Sequence, residues 1–319
     1  MHLRSNAATL AATVLVSILT TATAFAGSVH PLVIYGNDDR LEVYEEKDAA
    51  KQILSESVVA IMSSDVVATN KDGSFTLGGG NYGKDNQLCS TEKFTEQSAP
   101  AYCSGFLVAD NIIATAGHCV TEAGFCKDAK FVFGFAIDKK GRDPQAVGAD
   151  DVYGCKAVRH QLQENNGSDF ALVELDRPVV GRKALNFAKR APAAGDDVFV
   201  IGHPVGLPAK IAGGAQVRND DKGFFVANLD TFGGNSGSAV FNSKYEVAGV
   251  LVRGENDFVR KGSCYISNKC KDSMCRGEDV TNPDVVSLAL DDVLKAPPVA
   301  TPVTPAPPAA KPPHAPHRP

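Results

Sequence analysis

Three residues of the 319-residue chain stand in local sequences suited to nucleophilic chemistry. His118 lies in Thr115-Ala116-Gly117-His118-Cys119, Asp169 opens Asp169-Phe170-Ala171-Leu172-Val173, and Ser236 lies in Gly233-Gly234-Asn235-Ser236-Gly237-Ser238. Taken singly, each has an ordinary reading: a histidine ends a strand, a loop aspartate forms a turn, and Gly-x-Ser-Gly arises in many loops. Taken together, they meet a chemical requirement. A serine hydroxyl is a weak nucleophile until an imidazole takes its proton, and the imidazole needs a carboxylate to fix its tautomer.

Such a group needs a rigid frame, and the sequence offers a β frame. Strand-length apolar runs at 57–62, 105–109, 112–116, 131–135, 170–175, 197–202, 223–228, 239–242 and 247–253 are separated by Gly, Asn, Asp and Pro. Runs at this spacing, with no internal repeat, predict an all-β barrel or sandwich. Helices are expected only at 47–55 and 286–294. A break near 177–182 divides the β region into halves of roughly 120 residues each, within the usual size range of a domain.

At this point the chain resembles the chymotrypsin-like serine proteases, in particular the bacterial secreted branch that includes the glutamyl endopeptidases. The residues that carry the resemblance are Cys103-Ser104-Gly105, Ile112 to Cys119, Asp169 to Val173 and Gly233 to Asn242, in the order His, Asp, Ser. The resemblance implies two packed antiparallel six-stranded β-barrels, at about 52–178 and 179–285, with a short C-terminal helix at about 286–294. His118 and Asp169 belong to the first barrel and Ser236 to the second. The catalytic roles implied are Ser236 as nucleophile, His118 as general base and acid, and Asp169 as the orienting carboxylate, with Gly234 and Ser236 N–H groups forming the oxyanion hole. It also implies a Cys103 to Cys119 disulfide beside the histidine. No metal or other cofactor is called for.

Two positions depart from the family. Asn235 stands where digestive members carry the Asp that pairs with a freshly cut N-terminus, and an amide cannot form that ion pair. The glutamyl enzymes place a specificity His where this chain has Leu251. Asp230, six residues before Ser236, falls where trypsins hold a carboxylate for Arg or Lys, so a basic preference is expected. Thr231, Val252 and Gly254 are the other expected substrate contacts. Arg253 complicates that reading, because it could neutralise Asp230 or bind an acidic side chain itself. The alternative for Asp230 is a turn cap pointing away from substrate.

Composition bounds the rest. With 44% hydrophobic and 22% charged residues, the chain is globular rather than collagen-like or wholly disordered. Net charge is −5; the two ends carry only Arg4, Lys311 and Arg318 among charged groups, so the body between them stands at −8. That charge, without a basic run, excludes nucleic acid and anionic lipid as expected partners. Residues 1–26 read as a signal peptide, with Arg4, an apolar run and Ala24-Phe25-Ala26, which predicts a secreted or periplasmic protein with no membrane insertion after its removal. Residues 27–51 are an N-terminal arm, or 27–32 a short propeptide ahead of a new N-terminus at Val33, making the chain a zymogen.

Eight cysteines in an exported chain predict disulfides rather than zinc. Cys264 is expected to pair locally with Cys270 or Cys275. Residues 296–319 hold ten of the 18 prolines and read as an extended tail of unknown partner, with His314 and His317 solvated. His203, in a Gly/Pro turn, reads as structural. The segment 68–100 is long and polar enough to fold over the cleft. The expected substrates are proteins or peptides; the alternative is a catalytically latent or inactive homologue acting as a binding module.

Overall fold

The computed structural model describes residues 34–296, apart from 142–143, 222, 255 and 272–274. The segment expected to be a signal peptide, the proposed new N-terminus at Val33 and the expected tail beyond Ala296 lie outside the described residues. Six strands close the first barrel in the order Val152–Gln163, Asp169–Leu175, Ile112–Thr115, Ala101–Ala109, Val58–Ser63 and Ala129–Phe133, with every neighbouring pair antiparallel. The second runs Asp197–Gly202, Ala239–Asn242, Val247–Arg253, Glu278–Thr281, Phe224–Ala227 and Lys210–Asp221, and closes by pairing the last strand with the first. The all-β architecture of two six-stranded barrels is the one the resemblance implies.

Strand alternation explains how both barrels fill. In Val58–Ser63, Val59 and Ile61 join the largest apolar cluster while Ala60 and Met62 join a smaller one. In Asp197–Gly202, Val198 and Val200 fill the second barrel, whereas Phe199 and Ile201 enter that largest cluster. Successive residues of a strand point to opposite faces, so both faces of these strands are covered. The C-terminal helix Pro283–Lys295 starts with Pro283 in its first turn and buries Val286, Leu290 and Val293 at i, i+4 and i+7 against the same cluster.

Three barrel strands are absent from the apolar runs of the sequence. Val152–Gln163 is mostly half-exposed, Lys210–Asp221 contains Gly213-Gly214 and ends on acids, and Glu278–Thr281 opens on two buried acids. None shows the alternation that marks a half-buried strand.

The arm packs on the second barrel. Ile34–Tyr35 pairs in parallel with Lys269–Cys270, and Arg40–Glu42 adds to the Lys210–Asp221 edge. There the Lys210 ammonium, 1% exposed, donates to Glu42 Oε2, Gln97 Oε1 and the Pro208 carbonyl, each at 2.9 Å. Removing one partner of a buried pair strands the other charge. Lys210→Ala is therefore expected to lower unfolding free energy by about 3 to 5 kcal/mol. Urea denaturation measures this, and a loss below about 1 kcal/mol would show that Glu42 is relieved by water.

Four disulfides join Cys89 to Cys264, Cys103 to Cys119, Cys126 to Cys155 and Cys270 to Cys275. The local pairing expected for Cys264 is thus corrected. Main-chain bonds from Cys89 N–H to the Tyr265 carbonyl and from Tyr265 N–H to the Gln87 carbonyl carry segment 68–100 alongside Cys264. Lys93 and Gln97 of that segment bond to the arm at Asp38, Arg40 and Glu42.

Candidate active site

His118 sits in a single 3-10 turn, Gly117–Val120, directly after the strand that ends at Thr115. A side chain at Gly117 would place Cβ 2.0 Å from the Leu162 carbonyl oxygen, so only glycine lets the turn pass under the neighbouring strand. Asp169 begins its strand, 2% exposed, and its carboxylate meets the histidine twice. Oδ1 accepts from the His118 main-chain N–H at 3.1 Å, and Oδ2 lies 2.8 Å from Nδ1. A carboxylate can only accept, so Nδ1 carries the proton and Nε2 presents its lone pair. The main chain of Asp169 is held in turn by the second barrel: the Thr281 hydroxyl accepts from Asp169 N–H at 3.0 Å and donates to its carbonyl at 2.9 Å.

The Ser236 turn docks on the strands that lead to His118. Ser104 N–H donates to the Ser236 carbonyl at 2.8 Å, and the Ser104 hydroxyl donates to the Gly234 carbonyl at 2.9 Å. Gly237, at φ +89°, lies so close that a Cβ would fall 2.1 Å from the Ser104 carbonyl and 2.3 Å from Thr115 Oγ1. Gly234, at φ +86°, packs likewise on the 203–206 turn, where Val205 N–H donates to the Gly233 carbonyl at 2.5 Å. With the carbonyls of Gly233 and Gly234 so engaged, the N–H groups of Gly234 and Ser236 have no acceptor among the described residues. Asn235 is buried, and its Oδ1 accepts from the Ser238 hydroxyl at 3.1 Å.

The specificity residues are arranged differently from expectation. Asp230 is 4% exposed, and both of its oxygens are taken by the arm: Tyr35 N–H at 2.7 Å and Asp39 N–H at 2.8 Å. Burial pushes its carboxyl up to about 7, against the opposing pull of those two donors. Thr231 donates to Glu278 Oε2, whose other oxygen accepts from Tyr35 OH, each at 2.9 Å. The carboxylate expected to meet a basic substrate side chain is therefore an anchor for the arm, and Thr231 serves the same cluster.

Val252 is buried in the core and Gly254 is buried at the strand end. Arg253 neither pairs with Asp230 nor stands free; it bonds Asp279 and the 164–167 turn. His203 is fully buried, with Nδ1 3.0 Å from the Leu207 carbonyl oxygen and its ring stacked on Phe135. Burial and Lys210 lower it to about 4, although the Leu207 carbonyl favours its protonated form, so it stays neutral and structural.

A cavity of about 520 Å³ opens beside the imidazole, lined among others by Tyr102, the Cys103–Cys119 bridge, Glu122 and Phe125. The larger surface groove, about 800 Å³, is lined by 188–197 and 242–246 and by none of these residues. Cys103, His118 and Cys119 bring ligand atoms within 4.8 Å of one another, but the two sulfurs are bonded together and offer no thiolate to a metal.

Sequence reasoning missed Ser104 and Thr281 as supports and Tyr35 and Glu278 as partners of Asp230 and Thr231. Each meets its partner across tens to hundreds of residues, so no local pattern marks it.

The fold and this group define a serine protease, and residues 103–250, which contain His118, Asp169 and Ser236, match the family model of the trypsin-like peptidase domain. The chain thus carries a trypsin-like peptidase domain over these residues. Solved structures of similar fold include a Glu endopeptidase in complex with MPD, at 16% identity, covering 82% of this chain and 99% of that one with a TM-score of 0.48. The Rv3671c protease of M. tuberculosis in its active form, at 15% identity, covers 92% and 98% with a TM-score of 0.48. A serine endoprotease from Yersinia pestis, at 14% identity, covers 77% and 65% with a TM-score of 0.45. No curated protein matches the sequence.

Proposed function

We propose that the protein is an exported endopeptidase that cuts peptide bonds through an acyl-enzyme on Ser236. The observation that supports this best is the His118 Nδ1 contact to a buried Asp169, 2.8 Å long, beside a nucleophile turn docked on the same strands. Ser236 Oγ attacks the scissile carbonyl carbon while its proton passes to His118 Nε2. Oxyanion charge then develops next to the unpartnered N–H groups of Gly234 and Ser236, where each donor contributes about 2.7 to 4 kcal/mol. Collapse breaks the C–N bond, the amine leaves with the proton from His118, and water repeats the sequence to free Ser236. The four disulfides accord with an oxidising compartment, secreted or periplasmic.

With the arm docked, no free carboxylate at Asp230 meets the substrate. A preference for Arg or Lys before the cut belongs to a form in which the arm has left that carboxylate. The same contact favours a second reading, a latent protein awaiting arm release.

Labelling separates the two. The intact chain treated with a serine-directed phosphonate is expected to gain one adduct at Ser236, absent from Ser236→Ala, and to cleave a peptide library. No adduct on folded protein would overturn the active reading and leave latency or binding; enrichment of Arg and Lys in the library would show Asp230 reaching substrate.

A further inference from the structure

Arg253 is the one cation drawn close to the catalytic carboxylate among the described residues. Its Nη1 lies 3.8 Å from Asp169 Oδ2, the oxygen that also faces His118 Nδ1. The rest of the guanidinium is fixed: Nε donates to Asp279 Oδ2 at 3.1 Å, Nη2 to the Gly167 carbonyl at 2.7 Å and Nη1 to the Glu164 carbonyl at 3.3 Å. Arg276 holds the other oxygen of Asp279. The clamped turn is the one that delivers Asp169. Glu164 closes it by accepting Ser168 N–H at 3.0 Å, and a Cβ at Gly167 would lie 2.2 Å from Glu164 Oε2 and push that side chain out of this contact.

Arg253 also ends the strand that holds the nucleophile turn, since Gly237 N–H donates to the Leu251 carbonyl at 2.7 Å and Leu251 N–H to the Ser238 carbonyl at 3.0 Å. One side chain therefore joins the strand under Ser236, in the second barrel, to the turn before Asp169, in the first. Here the planar fork reaches the two carbonyls and the carboxylate from three separate nitrogens, a spread that the single nitrogen of a lysine at this position does not span.

We infer that Arg253 is a positioning residue: it sets the placement of the Asp169 carboxylate relative to Ser236 across the barrel interface and does not bind substrate. The inference rests on the triad reading above. Loss of this clamp misplaces the acceptor of the His118 ring proton, and misplacements of about 1 Å cost up to about 100-fold in rate.

The test compares Arg253→Met, Arg253→Lys and Arg276→Ala in the intact chain. Arg253→Met is expected to lower kcat about 10- to 100-fold with KM unchanged for neutral and acidic peptides alike. Arg253→Lys, which keeps the charge and loses the fork, recovers only part of this. Arg276→Ala, which leaves the clamp in place, retains parental kcat. In parallel, the downfield Nδ1 proton of His118 is recorded by NMR in Ser236→Ala protein; adding Arg253→Met is expected to move or broaden it.

Parental kcat in Arg253→Met overturns the inference, as does a loss confined to KM for acidic peptides, which would make Arg253 a substrate contact. A fall in kcat with the proton signal unmoved overturns it too. If the parent neither labels nor cleaves, the protease reading has failed, while the proton signal still decides the placement of Asp169.

Discussion

Asp169→Asn is expected to lower kcat about ten-thousand-fold while the protein stays folded. The carboxylate accepts twice from His118, through the ring at 2.8 Å and the main chain at 3.1 Å, and an amide has only one acceptor to offer. Its oxygen will keep the main-chain N–H, because that donor cannot change. Its NH2 group then faces Nδ1, which must present a lone pair, so the ring proton moves to Nε2 and the base toward Ser236 is lost. The new NH2 also stands beside the Arg253 guanidinium, where a carboxylate oxygen used to be. Binding and the oxyanion donors are untouched, so phosphonate labelling slows while KM changes little. Single-turnover acylation against denaturant stability is the measurement. A kcat within tenfold of the parent would show that Asp169 does not orient the base.

How much of this was legible follows from where each contact closes. His118, Asp169 and Ser236 carry their own signatures because each needs a specific local backbone: a glycine before the histidine turn, a strand start for the aspartate, a double-glycine turn for the serine. The Cys103 to Cys119 bridge was legible by resemblance and is present. Specificity was not. Asp230 falls at the expected distance from Ser236, but its burial and its two donors come from Tyr35 and Asp39, almost 200 residues earlier. Arg253 was noticed without its partners, since Glu164, Gly167 and Asp279 reach it from another barrel or another strand. Of the strands, Glu278–Thr281 was hidden because its buried acids are satisfied by hydroxyls and arginines that no periodicity encodes. The parts readable in sequence are those where backbone geometry constrains residue type; the unread parts are polar side chains stabilised by distant segments.

The same buried acids set the pH response of the protein. Burial pushes Asp230 and Asp257 each up to about 7, and raises Glu278 well above its ordinary range. A group whose folded value is raised contributes stability that is full below its unfolded value, near 4, and that is lost as pH climbs through the folded value. Stability is therefore expected to fall from about pH 4 to about pH 7, by up to about 4 kcal/mol from Asp230, of which up to about 3 kcal/mol falls above pH 5, and by less from the half-buried Asp257. Asp38 acts at the other end: burial alone would raise it, but the Arg40 guanidinium outweighs that and holds it low, so its contribution is lost only as pH falls below about 4.

Asp257→Asn isolates one share of the slope. Asp257 Oδ2 accepts Gly233 N–H at 3.0 Å and its Oδ1 is buried without a partner, so an amide oxygen keeps the one bond and removes the charge. That variant is expected to be about 1 to 3 kcal/mol more stable than the parent at pH 8 and close to it at pH 5. For Asp230 the relief is hydration of its carboxylate by undocking the arm, a local opening that breaks its two main-chain bonds together with the short pairing to Lys269–Cys270 and the Tyr35 hydroxyl bond to Glu278. Amide exchange at Tyr35 and Asp39, corrected for intrinsic rates, is accordingly expected to speed up from pH 5 to pH 8 ahead of the barrel strands. Urea midpoints that stay level or rise over this range would show that these acids ionise without cost, and arm amides as protected at pH 8 as at pH 5 would mean that Asp230 stays with the arm throughout this range.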